Sequence, residues 1–300
     1  MAIADEIKNQ WRFGGATKRL VFINIGVFLL IHLIGFIGWM AGAGDLEGHV
    51  LDQLMATNEW ALLAKRPWTV LTYMFTHFDP FHLLWNMVMF WFSGQMFQGL
   101  LGERRMVGNY ILGGLSGFAL YAFASFMPSH LGLGGNSVIL GASAAVMAVF
   151  IGIATYQPEV EVGMMFIGSV RLKYVAIVVL ALDLISIRAG SNTGGHMAHL
   201  GGALYGFMAA TFLKRGQADW SMTFMSGLVR IGDLLRGKKR SRLRVAKRPT
   251  RRGVMVDVEF NTAKKEKQAR VDAILDKISK SGYDSLSKDE RDFLFHASKE

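Results

Sequence analysis

The sequence predicts an all-α polytopic membrane protein: a bundle of six transmembrane helices followed by a small cytoplasmic helical tail. Three observations carry this. The 300-residue chain is 51% hydrophobic, with 34 Gly against 5 Pro and a mean hydropathy of +0.28, which exceeds the usage of an ordinary soluble domain. The surplus is concentrated in residues 20–213, where apolar runs recur near the ~20-residue length that spans a bilayer; residues 214–300 read as soluble protein. Basic residues gather on one side of those runs. A single soluble globule, a disordered chain and a fibrous repeat are thereby excluded, and no internal repeat is visible. The absence of cysteine excludes a disulfide framework, a thiolate zinc site and a thiol nucleophile.

Residues 1–19 form a cytoplasmic N-terminal segment, and the membrane domain occupies 20–213. Its first span runs from Leu20 to Met40. Lys18 and Arg19 before it and Ala41-Gly42-Ala43 after it imitate a secretory signal, but a 21-residue apolar stretch is longer than the ~7–15 residues of such a segment, so it reads as a retained span. The loop from Ala41 to Pro80 is too long for a simple connector. With Trp60 and Trp68 suited to the headgroup region, it is expected to be partly helical and to lie in the outer interface. Spans two to four run from Phe81 to Leu101, Asn109 to Met127 and Val138 to Tyr156. The fifth, about Leu172 to Ile187, is short and is expected to rely on Arg171 and Lys173 snorkelling to the interface. The sixth runs from His196 to Leu213.

Loop charge orients the bundle, because Lys and Arg near span ends favour the cytoplasmic side. Lys8, Arg12, Lys18 and Arg19, then Arg104 and Arg105, then Arg171 and Lys173, and finally the basic run after span six all fall on one side; Lys65, Arg66 and Arg188 fall on the other. The expectation is a multi-pass protein of the cell membrane with both termini cytoplasmic. The starts of spans two, four and six then face outward.

The tail divides into a basic linker, 214–253, and a small helical part, 254–300. A helix is expected from about Thr262 to Ser281 with Gly282 as its stop, and Ser287 with Glu290 makes a capping box for a last short helix. Of the 33 Lys and Arg residues, 13 fall between Lys214 and Arg252, so the net charge of +10 describes a local segment. That segment reads as contacting anionic lipid or reinforcing topology, and nucleic acid is not an expected partner.

Polar groups inside spans are costly and therefore informative. His82 and Asn86 share a helix face one turn apart and can aim two donors at one point; the alternative is an interhelical hydrogen-bond pair. Ser143 follows Gly141-Ala142, and Ala144, Ala145 and Ala148 continue a small face. Alone, such a serine reads as a packing residue, but Gly141 lets another backbone approach the hydroxyl. His199 precedes Gly202 and Gly206, a strip that lets span six press on the small face of span four and bring the imidazole towards Ser143. A hydroxyl needs an adjacent base to act as a nucleophile, so the two form a plausible catalytic pair. His196, one turn before His199, offers a second ligand for a metal, but no carboxylate is evident beside the pair. Asp183, the sole acid deep in the spans, reads as a helix-end residue paired with solvent or Arg188 in preference to an orienting partner for histidine.

The stretches His82-Leu-Leu-Trp-Asn86, Gly141-Ala-Ser143-Ala and Ala198-His199-Leu-Gly-Gly202-Ala-Leu-Tyr-Gly206, in this order on spans two, four and six, resemble the rhomboid intramembrane serine proteases over about residues 15–215. The resemblance implies Ser143 as nucleophile and His199 as its base. It implies an oxyanion hole of His82, Asn86 and the Ser143 amide, with Gly141 in the loop that carries the serine. It also implies cleavage of membrane-protein substrates that have helix-destabilising residues near the outer face, with no cofactor and no metal. The chain departs from the family pattern at Ala144, where glycine is frequent, at Met147, where an aromatic is frequent, and at Trp68-Thr69, where Trp-Arg is frequent. Two other classes remain: an inactive relative that binds or escorts membrane proteins, and a metal-dependent membrane protein using His77, His82, His196 and His199.

Overall fold

The computed structural model describes residues 3–127, 137–164, 168–188, 190, 192–236 and 251–297 and divides into two units, 1–237 and 238–300. In the first unit, α1 (Ile3–Phe13) leads into α2 (Gly15–Met40). The long loop that follows folds as α3 (Leu46–Leu54), β1 (Ala56–Thr57), α4 (Trp60–Lys65), α5 (Thr69–Thr72) and a 3-10 turn at Tyr73–Phe75. It is partly helical, as its composition predicts. Then come α6 (Pro80–Leu101), α7 (Glu103–Ala124), β2 (Val138–Ile139), α8 (Ser143–Tyr156), the hairpin β3 (Glu161–Met164) and β4 (Gly168–Arg171), α9 (Leu172–Arg188), α10 (Thr193–Lys214) and α11 (Trp220–Leu235).

Each expected span carries a helix, and the first, third and sixth begin earlier than expected, at Gly15, Glu103 and Thr193. The fourth starts at Ser143 instead of Val138, because Val138 and Ile139 pair antiparallel with Thr57 and Ala56 and leave the helical path. The fifth does not leave Arg171 and Lys173 unpartnered at its start: both reach Glu159, at 3.0 and 2.5 Å. Among the described residues two helices, Gly15–Met40 and Glu103–Ala124, are long and apolar enough to cross a membrane, and Ser143–Tyr156 is apolar but shorter.

Helix starts follow local chemistry. Pro80 occupies the first turn of α6, where its missing N–H costs nothing, and the Asp79 carboxylate accepts from the His82 N–H at 2.6 Å. Asp219 does the same for α11, accepting from Met222 N–H at 3.0 Å, and also receives Arg105 of α7 at 2.6 Å. The α11 helix lies within the stretch expected as a basic linker; residues 237–250 of that stretch fall outside the described residues.

Small residues decide how α7, α8 and α10 pack. A β-carbon added at Gly202 would meet the Ala144 carbonyl oxygen at 2.0 Å, and one at Gly206 would meet that of Ala148 at 2.2 Å, so α10 runs parallel to α8 with its backbone against it. On α7, Gly117 faces Ala144 and Gly113 faces Ala148, so α7 runs antiparallel to both. Buried polar side chains pin the trio: Asn109 Nδ2 donates to the Ala148 carbonyl at 2.8 Å and Ser116 Oγ to that of Gly201 at 2.9 Å. The core around them holds Tyr73, Met74, Phe90, Tyr110 and Phe150.

The outer surface is apolar where a soluble protein would be polar. Only 22% of the most apolar window of α2 is buried, and Leu29, Leu33, Phe36 and Trp39 are more than half exposed. Phe81, Leu84 and Trp85 of α6 and Ile177, Leu182 and Ile185 of α9 are equally bare. Helices apolar on the outside as well as the inside belong in lipid.

In the second unit, α12 (Arg251–Ser281) ends at Gly282 and α13 (Lys288–Ala297) follows. Its helix begins earlier than Thr262. The capping box forms as expected: Ser287 N–H donates to Glu290 at 2.8 Å and Glu290 N–H to Ser287 Oγ at 3.3 Å. Ile274 and Leu286 are buried, and Lys277 pairs with Glu290 at 2.9 Å.

Candidate active site

The parallel course of α8 and α10, with α6 meeting α8 at His82 against Gly141 and at Phe97 against Gly152, puts the starts of all three helices at one end of the bundle. His82, Ser143 and His199 therefore share that end.

Ser143 is the first residue of α8 and is half-buried. The chain arrives there through Gly141 at φ +118°, a conformation in which a side chain is strained, and a β-carbon there would also stand 2.7 Å from His82 Cε1. Both peptide groups before the serine are held: Gly141 N–H donates to the Tyr73 carbonyl at 2.9 Å, and Ala142 N–H to His77 Nε2 at 3.2 Å. Further back, the Asn58 carboxamide oxygen accepts from Ser137 N–H at 2.9 Å, and Tyr121 OH donates to the Ser137 carbonyl at 2.5 Å. The approach is thus fixed by side chains from three separate segments. As a first-turn residue, Ser143 has an N–H that no helical carbonyl can reach, and among the described residues it has no partner.

His77 is fully buried and accepts a hydrogen bond, so it is held neutral. Burial first, and His82 second, push its pKa down to about 3. The rings of His77 and His82 meet edge to face with centroids 5.3 Å apart. Asn86 is buried and turns one N–H of its amide back to the His82 carbonyl at 2.9 Å.

His199 lies one turn before Gly202, where α10 presses on Ala144, the residue after the serine. Its Nδ1 donates to Asp183 Oδ1 at 2.9 Å, and His196 Nδ1 donates to the same oxygen at 2.6 Å. Among the described residues no hydrogen bond joins Ser143 to His199. Asp183 is therefore buried against two imidazoles and is not paired with Arg188, contrary to the sequence-based expectation. The carboxylate that the His196/His199 pair lacked in sequence comes from a neighbouring helix.

Asp183 and His77 are the two residues that sequence reasoning undervalued. A lone acid in an apolar run, with two imidazoles three residues apart on the next span, was the available signal for the first. Nothing local marks the second, since its partner is a backbone amide 65 residues away.

Helices with apolar outer faces and a polar cluster enclosed at one end define an integral membrane protein with an internal polar site. The Rhomboid domain model matches residues 64–216, just over half the chain, and the chain belongs to the rhomboid family. Residues 255–300 match a separate model described as Family of unknown function (DUF6576). The chain is 30% identical over 135 residues to Presenilin-associated rhomboid-like protein A, mitochondrial, of Danio rerio, covering 44% of this chain and 34% of that protein. It is 30% identical over 145 residues to Presenilin-associated rhomboid-like protein, mitochondrial, of Mus musculus, covering 46% and 36%. RHOMBOID-like protein 12, mitochondrial, of Arabidopsis thaliana is 25% identical over 211 residues, covering 66% and 58%. The chain thus spans about a third of the length of the first two relatives. All three names carry a mitochondrial location, which overturns the cell-membrane location expected from the sequence. The physical reason is that loop charge reports which side of a bilayer a loop occupies and carries no information about which bilayer it is.

Proposed function

We propose that this protein is an intramembrane serine endopeptidase that cuts transmembrane segments of other membrane proteins, with Ser143 as nucleophile and His199 as base. Six helices, α2 and α6 to α10, make the crossings. The observation that carries the reading is the packing of Gly202 on Ala144, which sets the turn bearing His199 beside the turn bearing Ser143.

At 14 residues and ~1.5 Å per residue, α8 is about 21 Å long, against ~30 Å of hydrocarbon. A helix that short, ending at the face that carries the basic loops, begins below the opposite face. Ser143 then lies within the bilayer near that opposite face. His199 takes the Ser143 proton through Nε2 as the hydroxyl attacks the scissile carbonyl, then returns it to the leaving amine. Asp183 acts through His199, holding the proton on Nδ1 so that Nε2 is free to accept. The Ser143 N–H, His82 and the second N–H of Asn86 stabilise the oxyanion, where loss of one donor costs on the order of 3 kcal/mol, or about a hundredfold in rate. Substrate helices must unwind before a carbonyl is reachable, so segments with Gly, Pro or polar residues near that face are favoured. The basic tail contacts anionic lipid.

The test is labelling of the purified, detergent-solubilised protein with an activity-directed serine reagent. Wild type reacts, Ser143→Ala does not, and His199→Ala reacts very poorly. Undiminished labelling of Ser143→Ala removes the nucleophile assignment; a wild type that never reacts but still captures membrane-protein segments favours an inactive binder.

A further inference from the structure

We propose that Asp183, His196 and His199 form a binding site for a zinc-class divalent transition-metal ion, and that the bound ion switches off the base of the hydrolysis. The binding goes beyond the proposed function, and only its inhibitory consequence rests on that reading.

The donor set is two imidazoles, borderline ligands, and one carboxylate; the two nitrogens make it suit zinc, cobalt or nickel over calcium or magnesium. The imidazoles come from positions three apart on α10 and the carboxylate from α9, so the site is built by two helices. Nδ1 of His196 and Nδ1 of His199 already stand 2.6 and 2.9 Å from the same Asp183 oxygen, and the three ligand atoms lie within 4.8 Å of one another. A tetrahedral ion with bonds of ~2.0–2.1 Å spaces its ligands about 3.3 Å apart, so these two separations need to widen by only about 0.4–0.7 Å to admit one. The side chains are 18%, 19% and 9% exposed, enclosed enough to dehydrate an ion and open enough to admit one. The chain contains no thiolate to compete for it.

The consequence for catalysis is a matter of tautomers. With no ion, each neutral imidazole carries its hydrogen on Nδ1 and gives it to Asp183. An ion occupying Nδ1 needs that lone pair, so in each ring the hydrogen relocates to Nε2 and none is lost overall. His199 with hydrogen on Nε2 is a donor where the reaction needs an acceptor, and it cannot take the Ser143 proton. Asp183 meanwhile passes from hydrogen-bond acceptor to ligand.

Full-length protein purified without a histidine tag, stripped with chelator and held in detergent, is titrated with Zn2+ against a chromophoric competitor, and with Co2+ followed by its visible absorption. Wild type and Ser143→Ala are expected to bind one equivalent with equal affinity. His196→Ala, and His196→Gln, which keeps a donor to Asp183, are expected to bind at least tenfold more weakly while melting as wild type does. In parallel, serine-reagent labelling is compared with and without Zn2+ for each protein. Zinc is expected to suppress it at least tenfold in wild type, reversibly on adding chelator, and to have little effect on His196→Gln. Binding by His196→Gln as tight as by wild type, or no binding by wild type at micromolar Zn2+, overturns the site. If the ion binds as expected but Ser143 is never labelled, the site stands and the protease reading fails; if the ion binds and Ser143 labels equally well in its presence, the protease reading stands and the inhibitory switch is overturned.

Discussion

Gly202 of α10 lies so near Ala144 of α8 that a single added methyl would stand 2.0 Å from the Ala144 carbonyl oxygen. The distance between the two helices, and with it the separation of the proposed base from the proposed nucleophile, is set by the absence of β-carbons at Gly202 and, one turn further on, at Gly206.

Gly202→Ala should therefore force the helices apart. Overpacking of a close interface costs about 1–3 kcal/mol, and a displacement of this kind also separates the reacting groups. The expected outcome is a lower melting temperature in detergent together with loss of serine-reagent labelling. Gly227→Ala on α11, where an added β-carbon meets nothing within 4 Å, should melt within error of wild type. A Gly202→Ala protein that melts and labels normally would show that the close approach is not needed.

Gly141→Ala tests the loop before the serine. The substitution is strained at φ +118° and also drives the His82 ring away, so about 1–3 kcal/mol of stability and at least a tenfold reduction in labelling rate are expected. An unchanged rate in a correctly melting protein would separate His82 from the oxyanion role.

Asp183→Asn keeps the volume but replaces a charged acceptor. A hydrogen bond to a charged group is worth about 1.5–3 kcal/mol, so proteolysis should slow roughly ten- to a hundredfold through the turnover rate and not through substrate binding. Asp183→Glu should recover part of that loss. If Asp183→Asn cleaves a model substrate at the wild-type rate, the carboxylate does not position His199.

His77 makes stability depend on pH. Its folded pKa of about 3 lies below the ordinary value of 6.5, so between those limits the unfolded chain binds a proton that the folded protein does not. The stabilisation is complete above pH 6.5 and is lost as pH falls towards 3. His77→Gln, whose carbonyl can still accept from Ala142 N–H, should show a flatter dependence of melting temperature over pH 6.5–4. The same slope in both proteins would assign the acid sensitivity elsewhere.

Much of this protein was legible before any coordinates. Residues that must be apolar to lie in lipid announce the helices through run length, and Gly202 and Gly206 announce a close helix contact because small residues in a row have few other uses. The fourth helix starts five residues after the beginning of its apolar run, because the pairing of Val138 and Ile139 with a distant strand outweighs their apolar character. The capping of the last helix could be read locally, since its partners are three residues apart.

What sequence alone determined was the identity of the groups: a serine after a glycine turn, histidines on the flanking runs, and the apolar surfaces that carry them. Such features depend on neighbours within one helical turn. Tertiary structure decided which groups meet. Asp183 lies 13 and 16 residues from the imidazoles it receives, and His77 lies 65 from the amide it holds. The partner of a buried polar group is chosen by how whole helices pack, and no local pattern in the chain records that choice.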